Sequence, residues 1–327
     1  MFPKEELMND AEAKIFDAVA GPVLLALRPL LTRLAKLGNR APLSRSILDR
    51  FDIALVQHHY YVPVMFPADL NADLVSTERK IPGIRWNEEF QLDLIRQFTY
   101  RDELIAIPVE QTSETEFSYH NQGWFESGDA EFLYNMIRYF KPCRIIEIGA
   151  GYSTLMARIA IQANANEDAN YHCEHMCIEP FERPWLESIP VKVLRERIET
   201  CAIECFRSLK KNDILFIDSS HVIRPQGDVV YEYLYLLGLL QPGVIVHAHD
   251  IFTPRDYPAQ WILDLRRLWN EQYLLEAFLC FNSEFEIIAA VNWLSHNHRD
   301  RLTNACPILM QEPHREPASF WFRRVAK

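Results

Sequence analysis

Two closely spaced glycines give the first indication of a ligand site. Gly149 and Gly151 interrupt the run RIIEIGAGYSTLMARIA, residues 144–160, in a chain that has only 10 Gly in 327 residues. A glycine turn between a strand and a helix lets a ligand approach the backbone closely, because glycine has no Cβ and tolerates positive φ. The helix expected from Ser153 aims its free N–H groups at the same place. Glu147 ends the strand, and we expect its carboxylate to face the crevice above the turn.

The residues around the turn bear on which ligand it would hold. A dinucleotide-binding turn follows the pattern G-x-G-x-x-G, and here Thr154 occupies the place of the third glycine. A carboxylate at the strand end repels phosphate but suits an ammonium group. S-adenosylmethionine has an ammonium group and an adenosine and carries no phosphate. The motif therefore favours this cofactor over NAD or FAD, with a purely structural turn as the third alternative.

Polar side chains also follow other predicted strands. Glu179 and Pro180 follow the second strand, where a carboxylate is placed to accept both ribose hydroxyls. Asp218 and Ser219 follow the fourth strand. Any one of these acids could equally cap the next helix or loop. Ligands of open α/β sheets lie beyond the carboxyl ends of the strands, which makes the combination a predicted cofactor site. Its predicted members are Glu147, Gly149, Gly151, Ser153, Glu179, Pro180, Asp218 and Ser219.

Histidines and an aspartate after the fourth and fifth strands are the candidates for catalysis. Histidine changes its charge near neutral pH, so His221 or His249 could accept the proton of a hydroxyl group. Asp250 could orient either ring or act itself. A packing role is the alternative for each histidine. His247 is expected on the opposite face of the strand from His249 and therefore to be buried structure.

The same residues suggest a metal as a second possibility. Asp218, His249 and Asp250, with His221 near by, offer oxygen and nitrogen ligands that suit Mg²⁺, Mn²⁺ or Fe²⁺. Two histidines and one carboxylate also fit a non-haem iron site, which motivates an iron-dependent oxygenase as the rival function.

These residues require a sheet whose strands end at one edge. From residue 144 onward, short apolar runs alternate with helical patterns, which predicts a mostly parallel, doubly wound α/β sheet of seven strands covered on both faces. A polar segment with proline links the last two strands and suits an antiparallel hairpin at the sheet edge. The predicted strands are Arg144–Ile148, Met176–Glu179, Val191–Leu194, Ile214–Asp218, Val244–His247, Phe285–Val291 and Ser319–Arg324.

The N-terminal third has a different character. Residues 11–40 carry an apolar stripe with helical spacing, which predicts a helix packed on the main domain, with a membrane-surface helix as the alternative. We predict a mainly helical cap over residues 1–120 that contributes to substrate binding, and a ligand-binding domain over 121–327. Aromatic side chains could line an acceptor pocket or form the core between cap and sheet: Tyr60, Tyr61, Trp86, Trp124 and Phe125.

Composition limits the kinds of partner. The formal net charge of −11 argues against binding to nucleic acid or to acidic membranes. We found no apolar run close to the roughly 18 residues that span a bilayer, and no basic-then-apolar signal peptide. Seven scattered cysteines do not suggest a disulfide framework, so a cytoplasmic protein is expected. A small-molecule acceptor fits best, and a homo-oligomer is compatible.

Together these segments resemble the class I S-adenosylmethionine-dependent methyltransferases, in particular a bacterial small-molecule branch. The resemblance covers about residues 120–325, and the segments that carry it are QGWFESGDAEFLY (122–134), IIEIGAGYSTLMA (145–157), CIEPFERPWL (177–186), DILFIDSSHVIRPQGDV (213–229) and HAHDIFTPRDYP (247–258).

The resemblance implies roles for individual residues. Glu147, Gly149 and Gly151 match the turn that holds the methionine part of the cofactor, Glu179 matches the ribose ligand, and Asp218 matches the acid beside the reacting methyl group. Relatives that methylate catechols or sugars hold Mg²⁺ with acids after strands four and five, whereas a histidine precedes Asp250 here.

The implied activity is O-methylation of a sugar or secondary-metabolite hydroxyl. A metal-dependent oxygenase on the same fold and a non-catalytic cofactor-binding protein remain the alternatives.

Overall fold

The computed structural model describes residues 9–71, 75–111, 113, 115–121, 123–181 and 183–325. Gln122, the first residue of the segment 122–134, lies outside them. The chain forms two compact units, Met1–Leu70 and Asn71–Lys327. The predicted boundary near residue 120 stays a prediction.

The first unit is dominated by one long helix. α1 spans Asp10–Leu37, and a second helix, α2, spans Pro42–Asp49. Asn9 caps α1, since its side chain accepts hydrogen bonds from the N–H groups of Ala11 and Glu12 while the Glu12 carboxylate accepts from the N–H of Asn9. None of the α1 side chains that the structure describes is buried.

This helix corrects one expectation from the sequence. By length and composition, residues Ala11–Arg40 are long and apolar enough to cross a membrane. The prediction that no apolar run approaches this length is therefore wrong, because Arg28 and a few other charged residues only interrupt an otherwise apolar stretch. The expected packing of this helix on the main domain stays a prediction.

The second unit contains a seven-stranded sheet and its covering helices. The strands are β1 Arg144–Ile148, β2 Glu174–Ile178, β3 Lys192–Leu194, β4 Ile214–Ile217, β5 Ile245–Ala248, β6 Phe285–Ala290 and β7 Phe320–Arg324. The helices are α3 Glu88–Arg96, α4 Arg101–Ile105, α5 Asp129–Phe140, α6 Tyr152–Glu167, α7 Glu204–Arg207, α8 Asp228–Tyr231, α9 Leu237–Leu239, α10 Ala259–Leu263, α11 Glu271–Leu279, α12 Val291–Asn297 and α13 Arg299–Ala305. A π-helical turn, Glu232–Leu236, joins α8 to α9.

The sheet has the strand order β3-β2-β1-β4-β5-β7-β6. Strands β1 to β5 pair in parallel, and β7 is antiparallel to both of its neighbours. Alternate residues of the strands enter two separate apolar cores: Ile145 and Phe216 enter one, and Ile146 and Ile217 the other. The sheet is therefore covered on both faces, as the continuous apolar strands predicted.

The last two strands pair antiparallel at the edge of the sheet, as predicted, with β7 next to β5 and β6 outermost. The connection contains α12 and α13, which makes it too long for a tight hairpin. Trp321 is fully buried on β7, as suits an interior strand. Single-sequence periodicity cannot order strands that are buried on both faces.

Candidate functional site

Four strands end at the same edge of the sheet, in register. The N–H of Gly149 bonds to the carbonyl of Ile178 at 3.0 Å, and that of Asp218 to the carbonyl of Ile148 at 2.8 Å. The N–H of His249 bonds to the carbonyl of Ile217 at 2.9 Å. The residues that follow β1, β2, β4 and β5 are therefore brought together, as the sequence predicted.

The two glycines of the turn have different structural roles. Gly149 has φ +80°, and a Cβ added to it would lie 2.0 Å from the carbonyl oxygen of Asp218. Only glycine fits where the end of β4 passes so close. A Cβ on Gly151 would meet nothing nearer than Nε of Arg183, at 3.8 Å. Gly149 is thus required by the fold, whereas Gly151 keeps open space at the N-terminus of α6.

Glu147 lies beneath the turn and not in the crevice, contrary to the sequence expectation. Its carboxylate accepts hydrogen bonds from the hydroxyls of Ser153 at 2.9 Å and Thr154 at 3.0 Å, and it pairs with Nε2 of His175 at 2.5 Å. All four side chains are buried. Glu147 and Ser153 therefore hold the turn from below, and direct contact of either with a ligand stays a prediction.

Glu179 lies between the turn and the loop after β2. Its carboxylate accepts hydrogen bonds from the N–H of Phe181 at 2.9 Å and of Ala150 at 3.4 Å. Unlike Glu147, it is partly exposed, as is Pro180 beside it. This position beside the turn agrees with the predicted ribose ligand, which stays a prediction.

Arg183 is a site residue that the sequence did not indicate. Its guanidinium lies 5.1 Å from the ring centre of Trp124 and 5.5 Å from that of Tyr152. Its charge also helps to keep Asp218 ionised. The side chain thus lies across the crevice between the turn and β4. A single arginine in a loop carries no pattern that could have revealed it.

Beyond β4 and β5, one histidine lies among three carboxylates. Nε2 of His221 is 3.2 Å from Oδ1 of Asp218 and 3.6 Å from Oδ2 of Asp250. Its Nδ1 is 2.8 Å from Oε2 of Glu271, a carboxylate on α11 that also accepts the hydroxyl of Tyr233 at 2.8 Å. Because Glu271 accepts the Nδ1–H, the other ring nitrogen is directed to the two aspartates. Sequence reasoning missed Glu271, which is 50 residues further along the chain.

The electrostatics of this cluster follow from burial and close charges. Burial alone would raise the pKa of Asp218, but His249 and His221 outweigh it and hold that pKa below its ordinary value. Burial would lower the pKa of His221, yet Asp218 and Glu271 raise it well above the ordinary value. The carboxylates of Asp250 and Asp218 likewise raise the pKa of His249 against the effect of burial. Burial raises the pKa of Asp250. These directions favour a charged His221 ring beside an ionised Asp218.

His249 lies beside this group but is not hydrogen-bonded to it. Its Nε2 is 3.7 Å from Oδ1 of Asp250, and its ring rests on Phe125 with centres 5.2 Å apart. Within the described part of the chain, its buried Nδ1 makes no hydrogen bond. The ring stacks with that of His247 at 5.6 Å, so the prediction that these two histidines lie on opposite faces is wrong. Residues two apart on a strand share a face.

His247 itself is structural, as predicted. It is fully buried, its Nε2 lies 3.0 Å from the hydroxyl of Ser319, and its ring stacks on Phe216. Burial lowers its pKa well below the ordinary value, so it stays neutral.

The remaining predicted residues are divided between site and core. Ser219 donates a hydrogen bond to the buried carboxylate of Glu232 at 3.1 Å, and its contact with a cofactor stays a prediction. Trp124 is 42% exposed, whereas Phe125 is buried. Trp86 stacks on Trp293 at the sheet edge and belongs to the core. The remaining two aromatics, Tyr60 and Tyr61, belong to the first unit.

Comparisons with known proteins cover this same region. A family model described as a methyltransferase domain matches residues 146–251. A protein of Archaeoglobus fulgidus without an assigned function is 28% identical over 146 residues, which are 43% of this chain and 64% of the relative. The alignment thus spans less than two thirds of that relative's length.

The similarity of this chain to solved structures is weak. The O-methyltransferase TomG of Streptomyces achromogenes, in complex with S-adenosylmethionine, is 13% identical, with 72% of this chain and 90% of that chain covered and a TM-score of 0.36. An O-methyltransferase of Bacillus cereus in complex with S-adenosylhomocysteine is 14% identical, with 72% and 90% covered and a TM-score of 0.32. Likenesses this weak carry no argument about the site.

Proposed function

We propose that this chain is a class I S-adenosylmethionine-dependent methyltransferase, since residues 146–251 match a methyltransferase domain, and that it methylates a hydroxyl group of a small molecule, such as a sugar or a secondary metabolite. The main support for the proposal is that two different kinds of site lie at the same edge of the sheet. Open backbone at Gly151 lies on one side, and a cluster of histidine and carboxylate groups lies beyond β4 and β5 on the other.

The turn and its neighbours would hold the cofactor. Gly151 leaves open space for a cofactor carboxylate at the N-terminus of α6, although its own N–H donates to the hydroxyl of Thr154 at 3.1 Å. Glu179 offers its oxygens to ribose hydroxyls. Gly149 contributes by shaping the turn. S-adenosylmethionine, when bound, supplies an electrophilic methyl group, and methyl transfer is an in-line displacement that needs an aligned and deprotonated nucleophile.

His249 is the residue we assign to the acceptor's proton. Its Nδ1 has no hydrogen-bond partner among the described residues, so a lone pair there is free to accept a proton when the ring is neutral. The neighbouring aspartates raise the pKa of this imidazole, which favours the charged ring in the empty site. Cationic charge bound in the crevice opposes that effect and lowers the pKa of His249. Loading of the site therefore favours the form that accepts a proton.

The same region also fits a divalent metal. One ligand atom from each of Asp218, His221 and Asp250 lies within 4.8 Å of the others. Glu271 fixes the His221 ring as the carboxylate partner of a metal-binding histidine does. This set contains His221 in place of the predicted His249, and both predicted aspartates are retained. A metal held there would act as a Lewis acid toward the acceptor hydroxyl. Mg²⁺ or Mn²⁺ suits two carboxylates and one imidazole better than the two histidines and one carboxylate of an iron oxygenase.

The partners and compartment are part of the proposal. We place the enzyme in the cytoplasm, because its seven scattered cysteines do not suggest a disulfide framework. We expect a small-molecule acceptor and no nucleic acid, because the chain carries a net charge of −11. Tight RNA or DNA binding that weakens with salt would argue against this part.

Turnover with labelled S-adenosylmethionine tests the proposed function. We expect a panel of phenols, catechols and sugars to contain at least one acceptor that gains a methyl group on oxygen while S-adenosylhomocysteine forms. Chelator treatment separates proton acceptance by His249, which survives it, from metal assistance, which does not. Cofactor binding with no turnover on any acceptor would favour a non-catalytic binding protein. Oxygen consumption by the iron-loaded protein would favour the oxygenase.

A further inference from the structure

We propose that the first unit binds the surface of an anionic lipid bilayer through α1, which would lie in the plane of the interface. The inference concerns a part of the chain that the proposed methyl transfer does not use. It departs from the sequence expectation of no membrane contact, which rested on the net charge of the whole chain.

The apolar side of α1 is continuous and unpartnered within its unit. Its members recur at spacings of three and four residues, so they share one face of the helix. Phe16, Val19, Val23 and Leu30 on this face are all more than half exposed. Leu27 and Leu34 complete the face and are also not buried. A face of this extent is a candidate contact for a nonpolar phase.

The charge pattern identifies that phase. Residues 18–48 contain no Asp or Glu and five basic residues, in a chain whose formal net charge is −11. On a helix of 3.6 residues per turn, Arg28 and Lys36 lie opposite the apolar face, and Arg33 lies at its border. A polar side rich in Lys and Arg behind an apolar face is the pattern of interfacial helices on anionic lipid. An apolar protein groove or a second copy of α1 would use the apolar face and leave the basic side unexplained.

The spacing of the charges favours lying on the bilayer over crossing it. Between Asp17 and Arg28 only ten residues are uncharged. At 1.5 Å per residue they reach about 15 Å, roughly half of the hydrocarbon core. A spanning helix would therefore bury charged groups, whereas a helix in the interface lets Arg28 and Arg33 extend to the headgroups.

The rest of the unit also carries exposed apolar and aromatic side chains. On α2, Leu43 and Ile47 share one face and are exposed, and Phe51 follows them one turn later. Tyr60 and Tyr61 are about three-quarters exposed or more. Tyrosine is enriched where a membrane meets water, because its ring is apolar and its hydroxyl is wet.

Co-sedimentation of the full chain with vesicles tests the proposal. We expect binding to phosphatidylcholine vesicles that contain phosphatidylglycerol, weaker binding as salt is added, and little binding to phosphatidylcholine alone. Equal binding to both vesicles, or no binding to either, would overturn it. So would retention of the protein in the bilayer after alkaline carbonate extraction, since that indicates a spanning helix.

Charge variants provide the first matched pair. Arg28→Gln/Arg33→Gln should lower the affinity for the anionic vesicles roughly 30-fold, at about 1 kcal/mol per charge. Arg96→Gln/Arg207→Gln removes two exposed charges from the second unit and should leave the affinity nearly unchanged. Equal losses in the two variants would show that net charge alone governs binding, and would overturn the role of α1.

Leucine variants test the face of α1. Leu30→Ser should weaken vesicle binding roughly 10-fold or more, because Leu30 would enter the acyl boundary. Leu25 is 70% exposed on the opposite side, so Leu25→Ser should change little. Equal effects of the two variants would contradict the proposed orientation. The protein could instead fail to bind vesicles and form an oligomer that Leu30→Ser dissociates. In that case the face is a contact between copies of the chain, and the proposal fails. Unchanged thermal unfolding would show that both variants stay folded.

Discussion

The polar groups beneath the glycine turn and those beyond β4 and β5 lie at one sheet edge but are used in different ways. Beneath the turn, the Glu147 carboxylate accepts hydrogen bonds from two hydroxyls and pairs with His175, and all of these groups are buried. Beyond β4 and β5, the side chains of Asp218 and Asp250 are 33% and 17% exposed.

The difference indicates that the groups beneath the turn have a structural role, whereas those beyond β4 and β5 are suited to react with a ligand. The buried hydrogen bonds of Glu147 hold the backbone of the turn in position, although Nδ1 of His175 has no partner among the described residues. A cluster whose partly exposed carboxylates lie beside histidines with shifted pKa values can act on a ligand. The turn side is therefore expected to position the cofactor through its backbone, and the β4–β5 side to act through its side chains.

The largest expected effect is on the turn. Gly149→Ala would place a Cβ 2.0 Å from the carbonyl oxygen of Asp218 at a positive φ. We expect it to lower the free energy of unfolding by about 3 kcal/mol or more, from backbone strain and overpacking together. Gly151→Ala meets no close atom and should leave stability almost unchanged while it narrows the open space above the turn. Chemical denaturation measures both, and equal stabilities would show that the turn does not need glycine at 149.

The next effect is on turnover. His249→Ala should lower turnover by roughly 10²–10⁴, as for loss of a general base, with cofactor affinity nearly unchanged. His247→Gln is the comparison, because His247 shares the strand but stays neutral and bonds to Ser319. It should lower stability more than turnover. Single-turnover kinetics distinguishes them, and full activity of the His249 variant would remove it from the chemistry.

A smaller effect should follow from the carboxylate behind His221. Glu271→Gln cannot accept the Nδ1–H and the Tyr233 hydroxyl as a carboxylate does, so the ring loses its fixed orientation. We expect roughly a 10–100-fold loss in turnover or metal affinity, as for other groups that orient a functional histidine. Tyr233→Phe keeps the carboxylate and should cost much less. A pH–rate profile unchanged in Glu271→Gln would indicate a purely structural role.

The parts of this molecule that sequence reasoning could predict are those with a local pattern. β1 is a short apolar run that is followed directly by the turn with Gly149 and Gly151. This local pattern predicted β1 at its observed bounds. The position of β7 inside the sheet has no local signal, since strands buried on both faces look alike. The same limit applies to Glu147, because only the fold shows that His175 lies within reach of its carboxylate.

Contacts between distant parts of the chain, and a local charge that differs from the net charge, could not be predicted from the sequence either. Glu271 reaches His221 only because α11 folds back onto the end of β4, and Arg183 reaches the crevice from a loop. The net charge of the chain concealed a basic stretch around Arg28 and Arg33, because acids elsewhere outweigh it.

Calorimetric titration of S-adenosylhomocysteine into two variants tests the division between support and chemistry most directly. Glu179 lies beside the turn, so Glu179→Ala should weaken binding by about 1–3 kcal/mol. His249→Ala should bind S-adenosylhomocysteine with nearly the affinity of the unaltered enzyme. The reverse pattern, with affinity lost in His249→Ala and kept in Glu179→Ala, would contradict the account.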